Sequence, residues 1–481
     1  MNRRRERGWG RATLASIAAM CAVAALPGQS WAAAEHPYAF DSEAKPVQGA
    51  AVNSDGPTLE AGSVYKDTIK PGEKRYYRID LDAKASAYVS AVAVPKLGTK
   101  VAYGDKLAVS IEDRSGVKCG DDDAMFRTGA FARPVAAYAD RTIDKSSSSC
   151  QESGAYYVLL QRTSQATSTP EPWEVEIRFA SEPGLTESAP TAPPENWPSA
   201  SPAAPAGGPQ KRAGGAGFAE ATSLKQGEWQ DEIVPGQTLF YRVPVDWGQQ
   251  IFASADLGSS TATDSSKSVS NALVLSLHNP ARGHVDEEAG VIYDGKQKSV
   301  ALEPLPPVAY ENRYDSAGSD AAMRFAGWYY LSVTLSPEIA DAYGKQALPL
   351  TLRVNVDGKP KPAPAYAGPA GEFEVSDDDK KAADTGKSAS AAADTSTMKL
   401  VGAAGIGAGT VLVLGLGAWM LLARRRTPEP AAPGGYPAPM PGQPGLGQPM
   451  PGQFGQPPVQ GHGISGPYGQ APGPYGQPPA Q

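Results

Sequence analysis

Histidine is the side chain best able to move a proton near neutrality, and the chain has four of them. His36 falls beside a leader cleavage site and His462 in a Pro/Gly-rich tail, so neither is placed where a fold could aim it. His278 and His284 remain, in the run HNPARGHVDEE, with Asp286 and Glu287 close behind. Nucleophilic hydrolysis would need one of them within hydrogen-bond reach of a serine or cysteine. A zinc site would need Asp286 or Glu287 as a third ligand. The spacing matches no compact metal motif, and Asn279-Pro280 marks a turn, so the pair reads as an exposed loop. Asp121, Asp122 and Asp123 could offer oxygens to calcium, but without the alternating ligand spacing and turn glycine of a calcium loop they read as a solvated acidic loop. No catalytic set, metal or cofactor is assigned.

Cysteine chemistry is more specific. Of three cysteines, Cys21 sits in the apolar core of an export leader and leaves with it. Cys119 and Cys150 are then the pair in the mature chain, on the side of the membrane where thiols oxidise, and a disulfide is predicted over two unpaired thiols. Closing a loop of that size stabilises a domain by roughly 3–4 kcal/mol in the chain-entropy model.

These groups must be carried by something, and the organising stretch is near the C-terminus. Leu400 to Ala423 holds no charge and is followed at once by Arg424, Arg425 and Arg426. At ~1.5 Å per residue such a helix covers a ~30 Å hydrocarbon layer, and the arginines are a stop-transfer signal that stays cytoplasmic. Gly405 and Gly409 form a Gly-x-x-x-Gly spacing that would let two spans approach in a homodimer, with ordinary lipid-facing composition as the alternative. At the other end, Arg3, Arg4, Arg5, Arg7 and Arg11 precede the apolar run Ala12 to Leu26 and small residues near Ala34, the layout of a secretory signal. The expected protein is single-pass in the cell membrane, N-terminus outside and C-terminus cytoplasmic. Its 44 basic and 51 acidic residues give a net charge of −7 and no basic patch beyond the two membrane flanks, which argues against nucleic acid as a partner.

Between these ends the pattern is that of strands. Tyr77, Ile79 and Leu81 alternate with Arg78, Asp80 and Asp82; Leu107, Val109 and Ile111 alternate with Ser110 and Glu112. Trp173, Val175, Ile177 and Phe179 alternate with Glu174, Glu176 and Arg178, which this pattern turns to water. The same blocks then recur. YKDTIKPGEKRYYRIDL is answered by WQDEIVPGQTLFYRVPV, LAVSIED by LVLSLHN, Gly154-Ala155-Tyr156-Tyr157 by Gly327-Trp328-Tyr329-Tyr330, and VEIRF by LTLRV. Pro244 interrupts the second copy's strand and marks an edge or bulge.

These blocks resemble the bacterial pre-peptidase C-terminal (PPC) domain: a Pro-Gly turn before a Tyr/Phe-rich strand, alternating leucines ending in Asp113 or Asn279, a Gly-x-Tyr-Tyr strand and a closing alternating strand. The resemblance covers about half of the chain, in two copies. It implies a jelly-roll-like β-sandwich of the kind often attached to secreted enzymes.

The expected architecture is therefore all-β: two tandem antiparallel sandwiches, one transmembrane helix, and disordered linkers and tail. Its segments are a signal peptide 1–34, an N-terminal segment 35–57, sandwich one 58–180, a Pro/Ala-rich linker 181–217 holding the sandwiches apart, sandwich two 218–357, a solvated stalk 358–398, the span 399–423, and a Pro/Gly/Gln-rich disordered cytoplasmic tail 424–481. The expected role is non-enzymatic: binding or scaffolding of an envelope protein or polysaccharide at the cell surface. The alternative is an accessory subunit of a secreted or membrane-bound hydrolase or peptidase.

Overall fold

Two-residue alternation becomes strand pairing through most of the chain. A computed structural model describes residues 37–393, apart from 128, 145–146, 188 and 261–266, together with Trp419. All but Trp419 belong to one compact unit, Met1–Ala408. The predicted leader with Cys21, His36, the span 399–423 with Gly405 and Gly409, Arg424 to Arg426 and the tail with His462 lie, but for Trp419, outside the described residues. Among those described, no helix is long and apolar enough to cross a membrane.

The first sandwich contains β1 (Lys45–Pro46), β2 (Val64–Ile69), β3 (Lys74–Leu81), β4 (Ser86–Val94), β5 (Lys106–Glu112), β6 (Lys118–Met125), β7 (Val135–Arg141), β8 (Gly154–Thr163) and β9 (Trp173–Glu182). They form two sheets, ordered β1-β2-β9-β4-β7 and β3-β8-β5-β6. The second contains β10 (Pro209–Lys211), β11 (Thr222–Ser223), β12 (Gly227–Ile233), β13 (Thr238–Val245), β14 (Gln250–Leu257), β15 (Leu273–His278), β16 (His284–Glu288), β17 (Lys298–Ala301), β18 (Gly327–Leu335) and β19 (Leu348–Asp357). Its sheets run β10-β12-β19-β14-β17 and β11-β13-β18-β15-β16. Except for the short β1, β10 and β11, which lie parallel to their neighbours, all pairings are antiparallel.

The inward residues are the ones that the alternation selects. Tyr77, Ile79, Leu107, Val109, Ile111, Trp173, Val175, Ile177 and Phe179 fill the first core, and Tyr241, Val243, Leu273, Leu275, Leu277, Tyr329, Leu331 and Leu352 the second. Each sandwich thus has its own apolar centre. The repeated blocks occupy matching strands, β3 with β13, β5 with β15, β8 with β18 and β9 with β19. Both Pro-Gly turns need a left-handed residue, supplied by Gly72 (φ 74°) and Gly236 (φ 84°). Pro244 lies in β13 beyond the reach of β11, so its missing N–H removes no bond on that side.

A further equivalence ties the start of each repeat to its third strand. Asp67 on β2 accepts from the Gly49 N–H at 2.8 Å and the Tyr77 hydroxyl at 2.7 Å; Asp231 on β12 accepts from Gly214 at 2.8 Å and Tyr241 at 2.7 Å. A side chain at either glycine would collide with the tyrosine, with a Cβ 2.7 Å from the Tyr77 ring at Gly49 and 2.8 Å from the Tyr241 ring at Gly214.

Two expected spacers are folded instead. The Pro/Ala-rich linker does not hold the sandwiches apart: it follows the second sandwich, where Thr186 N–H donates to Ala365 O at 2.7 Å, Ala367 N–H to Gly184 O at 2.7 Å, and the Gln250 amide to Pro198 O at 2.8 Å. The stalk carries a helix. After α1 (Gly318–Ala322) and α2 (Ile339–Tyr343), α3 (Asp377–Thr385) opens with Ser376 and Asp379 in a reciprocal capping box. The run Asp377 to Asp379, within the stretch expected as a solvated stalk, is the acidic first turn that a helix dipole favours. Ala382 and Ala383 are buried against the second sandwich, Trp328 Nε1 donates to Asp379 at 2.8 Å, and Phe373 is fully buried just upstream.

Candidate functional site

The polar face of β9 was expected in water. Glu174 is indeed exposed, but Glu176 is 1% exposed and Arg178 half-buried, because the outer face of the β1-β2-β9-β4-β7 sheet is covered by the second sandwich. Two apolar clusters make the joint. Val92 and Ala136, with Tyr38 of the N-terminal segment, meet Phe218, Phe240 and Tyr330; Tyr88 and Ala180 meet Ala281, Phe325, Ala370 and Phe373.

Ion pairs cross between and around these clusters. Arg282 binds Glu176, which also accepts from the Tyr38 hydroxyl at 3.0 Å, and both charged side chains are essentially inaccessible. Arg313 is bidentate to Glu182 at 2.8 and 3.2 Å, and Glu182 accepts also from Tyr88 at 2.8 Å and Tyr366 at 2.8 Å. Arg133 reaches Glu287 at 2.8 Å, Arg178 reaches Glu372 at 2.5 Å, and Arg324 approaches Asp140 at 3.7 Å. Burial raises the Tyr38 and Tyr88 hydroxyls well above the usual tyrosine range, with the adjacent carboxylate as the next cause, so both stay protonated donors. The guanidinium of Arg282 also lies 5.1 Å from the centre of the Phe218 ring.

The turn that carries Arg282 has a counterpart in the first repeat. Asn279 and Asp113 each close a five-residue turn, with backbone bonds Asn279 N–H to Gly283 O and Asp113 N–H to Val117 O, both at 2.9 Å. In each, the side-chain Oδ1 accepts from the same downstream N–H, Gly283 or Val117, again at 2.9 Å. The left-handed position is Gly116 (φ 83°) in one and Arg282 (φ 61°) in the other.

The sequence-derived candidates are placed differently from expectation. His278 is not in an exposed loop: it ends β15, 6% exposed, its ring 5.2 Å from that of Phe218 and 6.0 Å from that of His284. Its Nδ1 is buried without a hydrogen-bond partner among the described residues, and burial is the main cause holding its pKa down to about 3. His284 opens β16 and is exposed. Glu287 faces the joint; burial opposes its ionisation, but Arg133 and Ser276 prevail and hold it below the usual range. Asp121, Asp122 and Asp123 lie in β6 rather than in a loop. Asp122 is raised by burial, against donors from Tyr138 and Asp123. No cluster of metal-ligating side chains is present among the described residues. Cys119 and Cys150 form the predicted disulfide, Cα atoms 5.7 Å apart, tying β6 to the segment before β8.

Two clefts flank the joint. One, of about 380 Å³, is walled by Pro37, Tyr38, Leu97, Pro134 and Pro172, with Lys96 among its charged residues. The other, of about 570 Å³, lies between the linker and the second sandwich, with Trp197, Trp247 and Tyr310 in its walls and Glu187, Glu311 and Lys361 among its polar residues. Trp247 is buried, and its indole N–H meets no acceptor among the described residues. Neither cleft was visible in the sequence, since the walls of each come from segments far apart in the chain.

No family model and no curated protein matches the chain. Among solved structures, it is similar to an uncharacterized protein from Burkholderia cenocepacia at 9% identity, over 62% of this chain and 82% of that one, with a TM-score of 0.16. Tripeptidyl peptidase 2 shows 6% identity over 62% and 24% of the two chains, TM-score 0.19. The ANX1 ectodomain from Arabidopsis thaliana shows 10% identity over 64% and 92%, TM-score 0.17. Likenesses of this size carry no argument.

Proposed function

We propose that this is a non-enzymatic, membrane-anchored surface protein whose paired, PPC-like sandwiches form one binding or scaffolding head outside the cell. In this reading 1–34 is the export signal, 399–423 the span, and Arg424 to Arg426 its cytoplasmic stop. The observation that carries the binding role is the 570 Å³ cleft beside Trp197, Trp247 and Tyr310. Aromatic walls with a few charged groups suit sugar rings or an extended peptide, and an envelope polysaccharide or protein is the partner class. The buried charges near the histidines are engaged in holding the two sandwiches together, which supports a role in recognition rather than turnover.

The test is a sedimentation assay of the full chain, in detergent, with isolated envelope polysaccharide and with solubilised envelope proteins. Trp197→Ala is expected to weaken capture at least tenfold while thermal unfolding stays unchanged; equal capture by both proteins overturns the assignment of the cleft. Protease added to intact cells is expected to cut within 58–356. Protection there, lost on lysis, overturns the membrane placement. The alternative, an accessory role beside a hydrolase, rests on the PPC resemblance and requires a stoichiometric hydrolase in the same detergent extract.

A further inference from the structure

We infer that the joint between the two sandwiches is an acid-sensitive latch, in which protonation of His278 favours parting of the sandwiches while each keeps its own core. The geometry has three parts. First, the partners are separable, because the apolar centre of each sandwich is complete without the other and the joint has its own small clusters. Second, His278 is on the outer face of its sheet at the joint, with Phe218 against it, and its buried Nδ1 has no hydrogen-bond partner among the described residues. Third, the same position in the first repeat, Glu112 at the end of β5, faces outward away from the joint, so the histidine belongs to the docked face and not to the fold of the repeat.

The groups around His278 set the sign. On its own sandwich these are His284 and Glu287 of β16, Tyr330 opposite it on β18, Phe218, and Arg282, 5.1 Å from the centre of that ring. From the first sandwich, Arg133 bears on His278 and Asp122 on His284. Burial, His284 and Arg133 oppose a positive charge there, and Glu287, already held by Arg133, favours one.

With the docked imidazole held near 3 and the ordinary value 6.5, docking has full support above pH 6.5 and loses it as pH falls towards 3. At pH 4.5 the parted form gains by up to about 100-fold over its share at neutrality. Glu287, held low, acts in the same direction on further acidification; Asp122 and Glu372, both raised by burial, act in the opposite one. The diagnostic quantity is therefore the difference between wild type and a variant without the imidazole.

Spin labels on the full chain at Ser54→Cys and Ser299→Cys, one exposed site on each sandwich, give that reading by pulsed electron resonance. Wild type is expected to show one narrow distance at pH 7.5, a second and longer population at pH 4.5, and recovery on return to neutrality. His278→Phe should keep the narrow distance at both pH values. His278→Gln, neutral and polar, is read in the same way should the phenylalanine disturb folding. An unchanged wild-type distance at pH 4.5, or opening of both variants to the same extent as wild type, overturns the inference.

Discussion

The turns at 113–117 and 279–283 hold the same place in the two repeats and close with the same hydrogen bonds, yet one is a surface turn and the other the centre of a contact. The first uses glycine at its left-handed position, where no side chain is strained. The second places Arg282 there, which costs about 1–2 kcal/mol of backbone strain, and in return brings a guanidinium onto buried Glu176. A buried ion pair adds little net stability compared with apolar packing, but half of one is expensive. What Arg282 with Glu176 and Arg313 with Glu182 therefore provide is register: a docking that misplaces either pair strands a charge out of water. Two copies of one strand arrangement form a specific pair through differences in their surface turns and outer faces.

The largest test breaks that pair. Arg282→Ala leaves Glu176 buried without its partner and should cost about 3–5 kcal/mol of docking, read as a loss of unfolding cooperativity between the sandwiches in urea; an unchanged unfolding midpoint would sink the role given to it. Next, reducing Cys119–Cys150 should remove roughly 3–4 kcal/mol from the first sandwich and leave the second in place, because only the first has a bridge among the described residues. Proteolysis mapped by mass spectrometry under reducing conditions separates the two. Gly49→Ala and Gly214→Ala sharpen the likeness of the repeats. Each drives a methyl into a tyrosine ring and should cost about 1–3 kcal/mol, with similar values if the two Asp-Tyr-Gly clusters are truly equivalent. Smallest is a contrast at one repeat position. Arg242, stacked 3.9 Å from the Trp328 ring and bonded to Ser223, should lose about 2 kcal/mol on change to alanine, whereas Arg78→Ala, in the matching exposed position, should leave the melting temperature unmoved.

Much of the fold was legible because a period of two states which residues enter a core. Tyr77, Ile79, Val175 and Ile177 are inside, and the repeated blocks are matching strands. The outer faces were not legible, for a physical reason: a carboxylate that meets water and one that meets a buried arginine look the same in one sequence. Glu176 and Arg178 were read as wet on that ground. His278 was read as loop because Asn279-Pro280 signals a turn, and the turn is there; the strand simply runs up to it. Asp121 to Asp123 misled in the same way, since a charged strand on a sheet's outer face resembles a loop by composition. The spacers were misread for want of local apolar content: Pro198 is fixed by its backbone carbonyl, and Ala382 and Ala383 are too small to signal burial. Of the predicted site residues, Cys119 and Cys150 were legible as a pair once Cys21 was assigned to the leader, and the bridge expected over two unpaired thiols is the one that forms.

The sandwiches meet through unlike sheets, β1-β2-β9-β4-β7 of the first against β11-β13-β18-β15-β16 of the second. Two bodies joined like for like would have a twofold axis and two identical ends. Laid front to back, as bricks in a row, they have a leading and a trailing end of different chemistry: Tyr76, Tyr157 and Leu159 on one, Phe252, Thr351 and Arg353 on the other. The molecule is therefore a vector, and anything that grips one end can tell it from the other.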